Sequence, residues 1–292
     1  MPAPSSPVRS TDGVDLAVHD LGGHDVGGHD VGGHGPALLI SHATGFHGHC
    51  YVPMAEALAG RFHSIAFDYR GHGDSPLPEG PVDWNRYGDD AVAVASVMRE
   101  LFRAPVAAFG HSMGGACLLM AAHRDPGLFS RLVLFEPIVF PPSGIRPDGD
   151  ESPLAAGARR RRAVFPSYEA AIANYAAKPP LGGFTRAALE AYVRHGFRQG
   201  DDGQVHLKCL PETEAQTFEG GGGHRTWDVL HQIQIPVLVI AGKVEAMQPS
   251  NIAAGVAELL PNGSYLELPE LDHFAPMTHP ADVAALVAGY LT

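Results

Sequence analysis

Cysteine is scarce in this chain: Cys50, Cys117 and Cys209 are three among 292 residues. An odd, scattered set offers neither a disulfide framework nor the CxxC spacing of a thiolate metal site, so Cys117 and Cys50 read as packing residues. Charge is scarce too. Asp, Glu, Lys and Arg make up 18% of the chain against 45% hydrophobic residues, a balance that excludes disorder and supports a substantial core. The net charge of −12 disfavours nucleic acid or an anionic membrane as the main partner. No run approaches the roughly 18 apolar residues that span a bilayer. The opening Met1-Pro2-Ala3-Pro4 begins no apolar signal segment, so the expected location is the cytoplasm.

Short, largely apolar runs are present at residues 36–41, 62–67, 105–109, 132–135 and 236–241, with a weaker one at 265–268. Helical patterns lie between most of them, at 52–58, 89–102 and 251–260. Strands apolar on both faces that alternate with helices predict an α/β fold, a mostly parallel central sheet flanked by helices. Residues 14–19 alternate as an early edge hairpin would, and residues 22–34 repeat Gly-Gly-His-Asp-Val. Such short, glycine-rich units cannot bury a core, so the repeat reads as a surface loop, with His24, His29 and His34 as adventitious chelators at most.

One interval breaks the alternation. Between Pro137 and Arg225 the chain runs far longer than the dozen or so residues a crossover needs. It opens with prolines and carries helical patterns at 167–178 and 185–196. The expected organisation is a core of residues 1–137 and 226–292 with a helical cap inserted over 138–225, where long excursions shape and close pockets. The arginine run Arg159 to Arg162 falls within it and reads as a solvated helix face.

Chemistry enters at Gly110-His111-Ser112-Met113-Gly114-Gly115, between an apolar strand-like run and the helical run that begins at Ala116. A strand that turns abruptly into a helix strains its corner residue, and flanking glycines relieve the crowding. Ser112 at that corner is the candidate nucleophile, and the Met113 N–H, at a helix N-terminus, is a candidate donor to developing negative charge.

An alcohol needs a base, and the base an orienting acid. His273 lies in the loop between the last strand-like run and the final helix, 281–290; His279, just before Pro280, reads instead as a capping-region residue. The acid is expected after the strand 236–241, where Glu245 is the carboxylate of the loop. Glu136, ending the run 132–135, is the alternative; Asp272 adjoins His273 and would diverge from it. A second N–H donor is expected from His42-Ala43-Thr44-Gly45-Phe46, through Thr44 with Phe46 as the alternative. His42, His47 and His49 read as loop-shaping residues because no carboxylate or thiolate accompanies them at ligand spacing.

These pieces, together with Asp68-Tyr69-Arg70-Gly71-His72-Gly73-Asp74-Ser75, resemble the α/β-hydrolase superfamily with a cap domain, over nearly all of the chain outside the repeat and cap. The resemblance implies an α/β-hydrolase fold, with Ser112 as nucleophile, His273 as base and then acid, Glu245 as orienting acid, and Met113 and Thr44 as backbone oxyanion donors. It implies a serine hydrolase acting on a small-molecule carboxylic ester, lactone or thioester, with no metal or organic cofactor. A carbon–carbon bond hydrolase and a ligand-binding receptor on the same scaffold are the alternatives. Two departures stand out: Ala43 where the family usually has Gly, and Glu at the acid position instead of the commoner Asp. Ser at the elbow disfavours the superfamily's dehalogenases and epoxide hydrolases, which use Asp there.

Overall fold

Each of the five strongest apolar runs forms a strand in the computed structural model, which describes residues 7–22, 35–77, 79–142, 152–246 and 248–292. A small hairpin, β1 (Val8–Arg9) and β2 (Asp15–Leu16), leads into β3 (Val18–Asp20). Then follow β4 (Ala37–Ser41), α1 (Val52–Leu58), β5 (His63–Phe67), α2 (Trp84–Phe102), β6 (Val106–His111), α3 (Met113–Arg124) and β7 (Phe129–Phe135). The repeat, apart from Gly22, lies outside the described residues.

After β7 come α4 (Pro153–Arg159), β8 (Val164–Phe165), α5 (Tyr168–Ala176), α6 (Arg186–Gly196), β9 (Phe197–Gln199), β10 (Val205–Leu207), α7 (Pro211–Gly220) and α8 (Thr226–Val229). The chain closes with β11 (Val237–Ala241), α9 (Ser250–Leu259), β12 (Gly263–Glu267), α10 (Ala275–Thr278) and α11 (Pro280–Leu291). Among the described residues, no helix is long and apolar enough to cross a membrane.

The main sheet runs β12-β11-β7-β6-β4-β5-β3. Every pair in it is parallel except β3 with β5, so the early hairpin segment becomes an antiparallel edge. Strands β4, β5, β6 and β11 are buried at every residue, as their mainly apolar character requires when helices cover both faces. One apolar layer packs α2 and α3 against one face, the other packs α1 and α11 against the opposite face. Edge strand β12 is mostly exposed, which is why its sequence signal is weak.

The structure differs from the sequence pattern in one helix start and one small sheet. Helix α2 begins at Trp84, earlier than its periodicity suggests, because the Asp83 carboxylate caps the Asn85 N–H at 2.9 Å. The segment after β7 holds helices where the pattern placed them, and also an antiparallel sheet, β8-β10-β9, whose strands of two or three residues are too short to show alternation in sequence. That segment is bolted to the core: Trp84 Nε1 donates to the Thr217 carbonyl at 2.8 Å, and Lys208 Nζ pairs with Asp74 at 2.6 Å.

Candidate active site

Ser112 occupies the corner between β6 and α3 with φ +55°, a left-handed conformation that side chains other than glycine rarely adopt. Close packing enforces it. A Cβ on Gly110 would come within 2.7 Å of Gly115 Cα, and one on Gly114 would collide with the Ser41 carbonyl of β4. The Ser112 N–H donates to the Phe135 carbonyl at 2.9 Å, and its own carbonyl accepts from Ile138 at 3.2 Å, so the corner is laced to the end of β7.

That end of β7 carries Glu136. His273 Nδ1 donates to Glu136 Oε2 at 2.6 Å, and Glu136 Oε1 accepts the Gly242 N–H at 2.8 Å. Glu136 is buried and itself sits at φ +46°. A carboxylate on Nδ1 fixes the proton there and leaves the Nε2 lone pair free. The residue expected in this role, Glu245, is elsewhere: its side chain is 51% exposed and pairs with Lys243 Nζ at 2.6 Å. The correction has a simple physical origin. Lys243 in the same loop offers Glu245 a partner in water, whereas the backbone turn at Glu136 directs its carboxylate toward the His273 loop.

His273 is held from behind by the elbow. His111 Nε2 donates to the His273 carbonyl at 2.8 Å, and the two rings lie 4.9 Å apart. With Nε2 carrying the proton, His111 Nδ1 accepts from the Tyr51 hydroxyl at 2.9 Å, and that hydroxyl accepts the Ala43 N–H at 3.2 Å. Burial, reinforced by the neighbouring His273, pushes the His111 pKa well below the usual range, so His111 is a neutral strut. The resulting relay joins the 42–46 loop, the elbow and the base loop. Sequence reasoning passed over His111 and Tyr51, although His111 adjoins the elbow serine.

The remaining candidates fall into place individually. Met113 is the first residue of α3, so its N–H has no intrahelical acceptor. Thr44 is buried, and its N–H has no hydrogen-bond partner among the described residues; the Phe46 N–H, the alternative, is committed to the Ala43 carbonyl at 3.1 Å. His279 is exposed and forms the N-cap position of α11. Asp272 is also exposed and caps the Phe274 N–H at 2.9 Å.

The Asp68–Ser75 motif serves as scaffolding beneath these loops. Buried Asp68 accepts from Gly48 N–H at 2.7 Å, from Asp74 N–H at 2.8 Å and from His19 Nε2 at 2.9 Å. Burial alone would raise its pKa, but the His19 hydrogen bond and the surrounding histidines hold it below the usual carboxylate range. His42 donates through Nδ1 to the Ala43 carbonyl at 2.8 Å and accepts the Tyr69 N–H at 2.9 Å. His47 bonds the Tyr192 carbonyl at 3.1 Å. Burial lowers His42 to about 3 and His47 to about 4. His19, Asp68 and Asp74 bring ligand-type atoms within 4.8 Å of one another, but Asp68 already accepts three hydrogen bonds and Asp74 is paired with Lys208. Cys50, Cys117 and Cys209 are all buried free thiols.

Aromatic rings roof the site. Phe46 lies 6.1 Å from Phe184, 5.4 Å from Tyr192 and 6.3 Å from Phe274, the neighbour of His273. A cleft of about 150 Å³ opens nearby between the core and the inserted segment, lined by Leu77, Leu210, Arg198 and Lys208 among others, but it includes none of Ser112, Glu136 and His273.

Comparison with known proteins agrees with this architecture. The chain is 26% identical over 259 residues to the 2-(acetamidomethylene)succinate hydrolase of Mesorhizobium japonicum, covering 88% of each chain. It is 29% identical over 266 residues to the pimeloyl-[acyl-carrier protein] methyl ester esterase of Chromobacterium violaceum, covering 88% of this chain and 94% of the relative. A crystal structure of E-2-(acetamidomethylene)succinate hydrolase superposes with a TM-score of 0.79 over 98% of both chains at 24% identity. A sequence model of the alpha/beta hydrolase family matches residues 37–286, from the first buried parallel strand to the last helix, and the chain belongs to that family.

Proposed function

We propose that this enzyme is a serine hydrolase that cleaves a small-molecule carboxylic ester, lactone or thioester through an acyl-enzyme intermediate. The observations that carry the reading are the buried Glu136 carboxylate on His273 Nδ1 and the positive φ of Ser112, whose N–H donates to the carbonyl of Phe135, the residue before Glu136. In the first step Ser112 Oγ attacks the carbonyl carbon while His273 Nε2 takes its proton, and Glu136 stabilises the imidazolium without accepting the proton. The oxyanion receives the Met113 and Thr44 N–H groups, with the α3 N-terminus adding its positive end. Collapse expels the alcohol or thiol, protonated by His273. Water, deprotonated by the same nitrogen, then releases the acid and restores Ser112.

The segment between β7 and α8 acts as the cap, placing Phe184 and Tyr192 over Phe46. Excluding water beneath such a roof strengthens the electrostatic terms on which the chemistry depends. The relatives' activities, hydrolysis of a succinate derivative and of a methyl ester, support hydrolysis of an acyl compound as the reaction.

The test is turnover of a panel of short p-nitrophenyl esters and aromatic lactones by the wild type and Ser112→Ala. Ester hydrolysis abolished by Ser112→Ala is the expected result. Inertness toward the whole panel, with turnover of a β-diketone, would instead assign the site to carbon–carbon bond hydrolysis.

A further inference from the structure

The cap places a carboxylate directly on the loop that carries Thr44. Gly45 has φ +75°, and a Cβ there would come within 2.8 Å of Glu214 Cδ and collide with Glu214 Oε1. Glu214, in the first turn of α7, is 7% exposed. Its other oxygen accepts from Arg161 Nη1. Arg161 Nη2 donates to the Tyr175 hydroxyl at 3.2 Å and to the Tyr192 hydroxyl. Tyr192 in turn packs edge-on against Phe46 at 5.4 Å, and its carbonyl accepts from His47 Nε2 at 3.1 Å. Three successive loop residues, Gly45, Phe46 and His47, are thereby held from above by one cap network.

The sign of the charge makes this arrangement more than packing. A lone carboxylate on the loop would oppose the negative charge that forms beside the Thr44 N–H. A fixed guanidinium on the same carboxylate cancels that field and keeps the contact. We infer that Arg161 and Glu214 form a charge-compensated clamp in which Glu214 presses the oxyanion loop into place and Arg161 neutralises Glu214 so that the oxyanion can form. Both are positioning residues, acting through the loop. The inference rests on the serine hydrolase reading above and goes beyond it by making the cap a working part of the oxyanion site.

The test compares steady-state kinetics on one neutral ester for Arg161→Met, Arg161→Lys, Glu214→Gln and the double variant Arg161→Met/Glu214→Gln. An uncompensated charge against Gly45, the residue after Thr44, predicts a loss in kcat of about 10- to 30-fold for Arg161→Met, with KM changed less. Arg161→Lys, which keeps the cation, and the double variant, which has no charge left to cancel, are expected within about threefold of wild-type kcat. Glu214→Gln leaves no opposing charge and keeps the side chain's shape against Gly45, so its kcat is expected to fall by less than that of Arg161→Met. A purely structural role predicts the reverse order, with the double variant no better than Arg161→Met. That result, or wild-type kcat in Arg161→Met, overturns the inference alone. Turnover that survives Ser112→Ala overturns the serine hydrolase reading and this clamp with it.

Discussion

Glu136 Oε2 lies 2.6 Å from His273 Nδ1 across a sequence separation of 137, and Glu136 is buried while His273 stays partly accessible. The pair joins the end of β7 to the loop after β12, across β11, which lies between those two strands in the sheet. Glu136→Gln keeps the shape but replaces the carboxylate with a neutral amide. It is expected to lower kcat by about 10²- to 10⁴-fold, as loss of an orienting acid does in such triads. Glu245→Gln removes an exposed partner of Lys243 and should leave kcat within about twofold. Rate measurements on the two variants check this directly, and the opposite ranking would return the role to Glu245.

The elbow glycines are predicted to be intolerant for different reasons from ordinary loop glycines. Gly114→Ala drives a methyl group into the Ser41 carbonyl, so α3 must move away from β4. A loss of about 1–3 kcal/mol in stability, measured by urea unfolding, is expected from such overpacking. Gly60→Ala is the control. Gly60 also has positive φ but nothing within 4 Å of an added Cβ, so only backbone strain contributes.

Stability should fall as the medium is acidified, before most carboxylates titrate. His42, His47 and His224 are buried, and burial lowers them to about 3, 4 and 4 respectively, from a usual value near 6.5. In the unfolded chain they bind protons below about pH 6.5, whereas in the folded protein they stay neutral down to about 4. The unfolded state therefore holds more protons in that window, and stability rises with pH across it. Each such histidine contributes a slope of about 1.4 kcal/mol per pH unit. Asp68, held low in the fold, adds to the loss below about pH 4 as its unfolded form protonates. Chemical denaturation at pH 7.5, 6, 5 and 4.5 is expected to show a progressive loss, and a flat profile would contradict the neutral-histidine assignment.

The thiols should be silent in the native protein. Cys50, Cys117 and Cys209 are buried, and burial pushes each well above the usual thiol range. Native protein should take up no iodoacetamide over a time in which the denatured chain labels at all three positions. Labelling of Cys50, the cysteine nearest the Thr44 loop in sequence, would show that the loop opens to solvent.

Much of this architecture is legible from residue order because the signals are redundant. Residues 36–40, 105–109 and 236–241 are apolar without interruption, a pattern that a strand covered on both faces requires, and G-x-S-x-G marks the elbow through steric necessity at Gly110 and Gly114. The carboxylate that pairs with His273 was not legible because Glu136 and Glu245 both follow buried strands and both lie between Ser112 and His273 in the chain. Choosing between them requires the φ of Glu136 and the pairing of Glu245 with Lys243, which are three-dimensional facts, although Lys243 two residues before Glu245 was a visible hint. The sheet β8-β10-β9 escaped notice because pairing, not local alternation, defines strands so short. The Arg159 to Arg162 run divides on folding. Arg159 bridges Glu212 and Glu219 at the surface, while Arg161 turns inward to Glu214, a distinction no charge pattern carries.

The most direct test of the whole account is intact-protein mass after exposure to a fluorophosphonate probe, with the modified peptide sequenced, for the wild type, Ser112→Ala, His273→Ala, Glu136→Gln and Glu245→Gln. The account predicts one adduct on Ser112 in the wild type, none in Ser112→Ala, strongly slowed labelling in His273→Ala and Glu136→Gln, and labelling at the wild-type rate in Glu245→Gln. A folded wild type that takes up no probe, or an adduct that persists in Ser112→Ala, would contradict it.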